Sequence, residues 1–323
     1  GGVSYQPNSI GNGCPFQAKS MEGGFTSYAE RIDAKKIRGR SSSFFDHFSQ
    51  ATLFFNSQSE AEKSHIIDAL SFELGKVERM EIRERMVVIL SQVDSNLAKM
   101  VADNIGLKVP VKPKQPINQS VPADGNPKNY QPKSVDQGIA ISAALSMANT
   151  IKNTVQTRQV AIFAADGVNE NSFGNMKAAL EKAGAKIKVI SPKLGAIKGD
   201  KGMEIMPDQS FLTATSVVFD ALYLPGGSKS VATLKNEAAA IHFINETYKH
   251  CKPIAADGEG IDLLKSSSVG YILEAENSAG TNLNDLGIIT TGQGTGNKAT
   301  NDFINAIAQH RFWTREKKMQ VPA

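Results

Sequence analysis

Long apolar runs, paired cysteines and metal-ligand spacings are all missing from this sequence. None of its 323 positions opens a run of about eighteen apolar residues, so a membrane-spanning helix is excluded. The N-terminus lacks the basic-then-apolar layout of a secretory leader, and a cytoplasmic location is the expectation. Its 2 cysteines, Cys14 and Cys251, are too far apart in sequence for a local disulfide or metal motif, as suits a reducing compartment. The 5 histidines (His47, His65, His242, His250 and His310) include no pair at i, i+4, so no metal site is expected. No serine stands in a G-x-S-x-G context, which removes the usual hydrolase nucleophile loop. Initiator Met is absent too: the chain opens Gly1-Gly2-Val3, and of processing, a designed sequence or a segment of something longer, the last is expected.

What is present is ordinary for a soluble protein: 41% hydrophobic, 21% charged and a net charge of +4. The lysines are spread out and not interleaved with aromatics, so no nucleic-acid partner is expected. Residues 1–43 are rich in Gly, Ser and Asn without either period, and are read as an extended arm that lies along a preceding domain or a neighbouring subunit. Residues 44–107 form a helical segment. Ser57 and Glu60 stand at capping-box spacing, and Ile66, Ile67, Leu70, Leu74 and Val77 follow on one helical face. Ile82, Met86, Ile89, Leu90 and Val93 mark a second helix. Asp94 or Ser95 caps a third, carrying Leu97, Met100, Val101 and Ile105 and closing at Gly106. Such helices make a thin core, so Phe44, Phe45, Phe48, Phe54 and Phe55 are expected to anchor them to another body. His47, within that cluster, is expected to be a packed, hydrogen-bonded residue, not a catalyst.

Residues 108–134 hold 6 prolines and 5 lysines with few large apolar side chains, the composition of a semi-extended linker. Beyond it, residues 135–323 alternate strand and helix. Strands are expected at 160–164, 187–190, 217–224, 253–256 and 288–291, and helices at 173–183, 238–248 and 300–311. Alternation of this kind predicts an α/β domain with a mainly parallel sheet covered on both faces. Ligands in such sheets collect at the carboxyl ends of the strands. Three loops are therefore candidates: the one with Asp166 and Glu170, the one with Gly226 and Gly227, and Asp257-Gly258-Glu259-Gly260. Taken singly, each glycine is more simply read as a turn former. The Gly292-Gln293-Gly294-Thr295-Gly296 loop has the strand–loop–helix setting of a phosphate cradle, but Asn297 stands where the third glycine of that fingerprint belongs.

Two regions also carry a resemblance. Gly2-Val3-Ser4-Tyr5-Gln6-Pro7-Asn8-Ser9, the run from Arg38 through Ser41-Ser42-Ser43-Phe44-Phe45-Asp46-His47-Phe48 to Phe54, Ile66 to Leu74, and Ile82-Arg83-Glu84-Arg85-Met86 resemble the part of haem catalases that follows the haem-bearing β-barrel. From about Val160 to Trp313 the chain resembles the flavodoxin-like domain appended to large-subunit catalases, which is itself similar to the PfpI and DJ-1 superfamily. The order of the two matches is distinctive.

The resemblance implies a parent that dismutates hydrogen peroxide to water and oxygen at haem, and a homotetramer in which this region packs on the haem domain and on identical subunits. It places the haem ligand and the distal catalytic residues upstream of Gly1, so no catalytic residue and no bound cofactor are expected in this chain. Aligned on the nucleophile elbow of the PfpI and DJ-1 proteins, Gly258 stands where their catalytic Cys does, flanked by Asp257 and Glu259. Glu170 falls near their Cys-activating carboxylate, and the site is read as vestigial. The leading expectation is a structural, oligomerising part of a catalase. The alternative is a stand-alone chaperone-like or ligand-binding module of the PfpI/DJ-1 type.

Overall fold

The computed structural model describes residues 14, 16–34, 39–136, 138–150, 152–278, 282–292 and 296–316. The motif at 2–9 and the centre of the glycine loop, 293–295, lie outside them. Contacts divide the chain into two units: residues 1–47 with 118–133, and residues 48–117 with 134–323.

In the first unit the later half of the proline-rich stretch lies against Phe45, just past the expected arm. Lys133 N–H donates to the Phe45 carbonyl at 2.9 Å, and Phe45 meets Tyr130 edge to face at 5.8 Å. Asn118 and Gln131 tie the two sides of the stretch together, since Asn118 Nδ2 donates to the Tyr130 carbonyl and Gln131 Nε2 to the Asn118 carbonyl. His47 is exposed beside the rings of Phe44 and Phe45 and not part of a core, which corrects the expectation of a packed histidine.

The second unit opens with helices α1 (Ser49–Ser57), α2 (Glu60–Gly75), α3 (Met80–Val93) and α4 (Ser95–Asn104). Ser-x-x-Glu occurs twice here, and the structure uses the later copy. Ser59 Oγ accepts from Glu62 N–H, and Glu62 Oε2 accepts from Ser59 N–H at 2.8 Å. Ser57 instead ends α1, its hydroxyl donating to the Leu53 carbonyl. The expected box at Ser57 and Glu60 fails because the buried Phe55 extends α1 past it. Asp94 caps α4 as expected, accepting from Leu97 N–H at 2.8 Å. Phe55, Ile67, Leu74, Leu90, Leu97 and Val101 close the small core between these helices. Among the described residues no helix is long and apolar enough to cross a membrane.

The α/β domain runs β1 (Gln159–Phe163), α5 (Glu170–Lys182), β2 (Lys186–Ser191), β3 (Ile197–Lys198), β4 (Glu204–Ile205), β5 (Gln209–Ser210), β6 (Ala221–Leu224), α6 (Ser228–Lys235), α7 (Ala238–Lys249), β7 (Ile254–Asp257), α8 (Gly260–Lys265), α9 (Ser268–Ser278), β8 (Ile288–Thr291) and α10 (Asn297–Gln309). Its sheet has the order β5-β2-β1-β6-β7-β8 and every pairing in it is parallel. Inside the edge strand β5, that is the flavodoxin-like order. Because both faces of the sheet are covered, its strands are apolar at successive positions. Ala161 and Phe163 join α6 to α9 in one core, while Val160 and Ile162 join α5 and α10 in the other. The run expected as one strand at 217–224 is corrected: Ser216–Val218 is a 3-10 turn with Val217 78% exposed, and β6 starts only at Ala221. Composition alone does not separate an apolar turn from a buried strand.

Candidate functional site

β1 and β6 are neighbours, and the chain leaves β1 toward β2 on one side and leaves β6 toward β7 on the other. The loops at the carboxyl ends of these two strands therefore splay apart and leave a crevice. The β1–α5 loop with Asp166, the β6–α6 loop with Gly226 and Gly227, and the β7–α8 turn with Gly258 and Glu259 all border it. So the three loops named from the sequence converge.

Asp257, the last residue of β7, is 1% exposed and organises this end of the sheet. Its Oδ1 accepts from Gly226 N–H at 2.6 Å and its Oδ2 from the Tyr223 hydroxyl at 2.8 Å. Burial raises the Asp257 pKa despite these donors. Burial also drives the Tyr223 phenol upward, so it stays a neutral donor. Gly258 follows with φ +48°, a left-handed conformation, and its N–H donates to the Thr291 carbonyl. A Cβ built there would meet only Gly226 Cα at 3.7 Å, so the position is open. No side chain is present at that position to act as a nucleophile. Cys251 precedes β7, is fully buried, and burial pushes its thiol up to about 11.

Glu259 projects from the turn onto the start of α6. Its Oε2 accepts from Gly227 N–H and its Oε1 from the Ser228 hydroxyl, both at 2.9 Å. The Gly227 N–H in particular lowers its pKa. Glu170 is turned the other way. Its Oε1 accepts from the N–H groups of Lys201 and Met203, at 2.9 and 2.6 Å, so it holds the loop between β3 and β4.

The crevice is continuous in lining but divided in character. One part, about 830 Å³, is bordered by Asp166, Lys193, Lys198, Asp200 and Lys229. The other, about 760 Å³, is bordered by Asn169, Asn171, Ser172, Asn175, Gly258 and Asp262 and has no cationic side chain among its lining residues. Asn169 and Glu259 border both. The three lysines and Asp200 were not picked out from the sequence. They follow short strands or loops that carry no motif, and only the crossover at β1 brings them to one place. Among the described residues no group of three or more His, Cys, Asp or Glu side chains could hold a metal ion.

A second charged cluster, also unseen in the sequence, lies at the amino ends of the strands. Asp220 accepts from Gln159 N–H at 2.9 Å and from His310 at 3.1 Å, with Arg158 at 3.7 Å and Arg311 at 4.0 Å. Burial opposes its ionisation, but the His310 and Gln159 bonds outweigh it and leave the carboxyl below its ordinary range. Beside it Lys252 is buried and donates to the Ser216 carbonyl, and desolvation pushes its ammonium down to about 8. Arg315, also buried, donates to the Leu286 and Lys252 carbonyls and stacks on Tyr248.

Comparison with known proteins agrees with this architecture. Residues 41–105 match the family described as catalase-related immune-responsive. Residues 156–317 match the C-terminal domain found in long catalases. Catalase HPII of Mycobacterium avium is 37% identical over 100% of this chain and 43% of its own length. Catalase-2 of Bacillus subtilis is 38% identical over 98% of the chain and 41% of its length. Catalase-B of Dictyostelium discoideum is 34% identical over 100% of the chain and 43% of its length. The chain thus spans about two fifths of the length of the relatives it matches.

Proposed function

This chain belongs to the family of the C-terminal domain found in long catalases, and from that membership we propose that it is the non-haem portion of a large-subunit catalase. The carrying observation is the order of the two matched regions, 41–105 and then 156–317, within relatives that are catalases along nearly the whole chain. In this reading the parent dismutates hydrogen peroxide at haem in the cytoplasm, as a homotetramer. The present part comprises an arm, a helical segment, a proline-rich connector and the α/β domain, and it contributes stability and subunit packing.

The donor set supports placing the haem elsewhere. A haem iron needs an axial His, Cys, Met or Tyr beside an apolar slot. The two large clefts are polar and have none of these side chains in their linings, and the burial that raises the Tyr223 and Cys251 pKa values keeps both groups protonated. The linings of these two clefts do not fit a haem.

Removing residues 156–317 from the parent tests the reading. Turnover per haem is expected to persist while the assembly dissociates at lower urea concentration. Unchanged resistance to dissociation would count against a packing role. A second reading, a chaperone-like module, is favoured by exposed apolar side chains, Phe72 at 65% and Tyr271 at 88%. Suppression of aggregation of a thermally unfolded client at low molar ratio would support it.

A further inference from the structure

The lysine-bearing half of the crevice is lined by Lys193, Lys198 and Lys229 together with Asp166, Asp200 and Glu259. Lys198 is fixed through its backbone: its N–H donates to Asp166 Oδ1 at 2.9 Å, and its carbonyl accepts from Gly167 N–H at 2.7 Å. Lys229 is fixed through its stem, which lies across Gly167. A Cβ at Gly167, where φ is +88°, would come within 2.7 Å of Lys229 Cβ. One turn, Asp166-Gly167, therefore holds two lysines that arrive from different elements, Lys198 from β3 and Lys229 from α6.

The neighbouring carboxylates already have partners. Asp166 pairs with Lys193 at 3.6 Å, and the Lys198 N–H holds its pKa low. Asp200 accepts from Asn169 Nδ2 at 2.9 Å and from Glu170 N–H at 3.1 Å, at the start of α5. Glu259 accepts from Gly227 and Ser228 at the start of α6. Each helix start carries a partial positive charge that offsets the carboxylate seated on it. By contrast, Lys198 Nζ and Lys229 Nζ have no hydrogen bond or ion pair among the described residues. The wall is also cross-braced, because Asn169 N–H donates to the Gly226 carbonyl and Asp200 N–H to the Val168 carbonyl. The crevice is thus braced by backbone hydrogen bonds, sits at the strand-order reversal and carries two ammonium groups that make no hydrogen bond, although Asp166 lies close enough to Lys229 to feel its charge.

We propose that this half of the crevice is a binding site for a small anionic metabolite whose carboxylate or phosphate oxygens are held between Lys198 Nζ and Lys229 Nζ. Ammonium groups suit either oxyanion, since each acts as a point charge with freely rotating donors. The ligand needs no reaction at Gly258.

Isothermal titration of the full chain with inorganic phosphate, and separately with succinate, at ionic strength held constant with sodium chloride, tests this. Saturable binding of either probe is expected. Phosphate alone would indicate a phosphate-bearing ligand, and succinate alone a dicarboxylate. Lys198→Met and Lys229→Met should each weaken binding about tenfold, as the loss of one charge-assisted hydrogen bond predicts. Lys235→Met, at the far end of α6, should leave it unchanged. Matching thermal melts of the variants would keep a folding defect from mimicking the effect. No saturable heat with either probe, or full affinity in the Lys198→Met, Lys229→Met double variant, would overturn the proposal.

Discussion

At the carboxyl ends of the strands, Asp166, Asp200 and Glu259 border an open crevice and lean on backbone N–H groups. At the amino ends, Lys252 and Arg315 are buried and Asp220 and Arg311 mostly so, and they answer one another or buried carbonyls. The same sheet thus carries charge for two purposes. Where water reaches the groups, a lost partner is replaced by solvent and little stability depends on it. Where water is excluded, the partner is the only compensation available, and its loss leaves a bare charge.

Asp220→Ala should give the largest effect. It strips the shared partner from Arg158, His310 and Arg311 and should lower unfolding free energy by about 3 kcal/mol or more, read from urea midpoints. Asp200→Ala at the open end should change it by about 1 kcal/mol or less. Equal effects would erase the distinction between the two ends.

Lys252 sharpens the comparison through pH. Its folded pKa, about 8, lies below its ordinary 10.5, so the penalty of a buried cation is fully present below about 8. Between about 8 and 10.5 the unfolded chain keeps a proton that the fold has released, and stability rises with pH across that window. Lys252→Met should abolish the rise and stabilise the protein near neutrality by about 2 kcal/mol. Chemical denaturation at a series of pH values follows both.

Asp257 divides the effect of charge from that of hydrogen bonding. Asp257→Ala strands the Gly226 N–H and should cost about 2 kcal/mol. Asp257→Asn keeps an acceptor there without a buried charge and should be close to neutral in a thermal melt. Gly258→Cys should cost less than Asp257→Ala, because the Cβ has space and the left-handed backbone costs about 1 kcal/mol. It should add one maleimide-reactive thiol to that of the exposed Cys14 in the native protein, while the buried Cys251 does not react.

The sheet was largely legible in the sequence, because strands buried on both faces read as unbroken apolar runs. Val160 to Phe163 and Ile288 to Thr291 fall where the pattern places them. The two-residue strands β3, β4 and β5 were not legible, since nothing that short carries a period. Tandem Ser-x-x-Glu spacings misplaced the α2 cap by two positions, because the choice between them depends on how far Phe55 carries α1. The crevice was half legible. Its glycines and Asp257 sit on recognisable strand–turn–helix junctions, whereas Lys198, Asp200 and Lys229 meet only through the crossover geometry. Nor does spacing point to Asp220 and Arg315, whose partners lie 61 and 63 residues away in the chain.

The central claim, that the haem chemistry of this family lies outside the present chain, is tested most directly by adding haem to the purified protein, recording its absorption spectrum and following oxygen release from hydrogen peroxide. A spectrum no different from free haem, with no oxygen above the haem-only control, is the predicted result; a sharp Soret band with rapid oxygen evolution would contradict it.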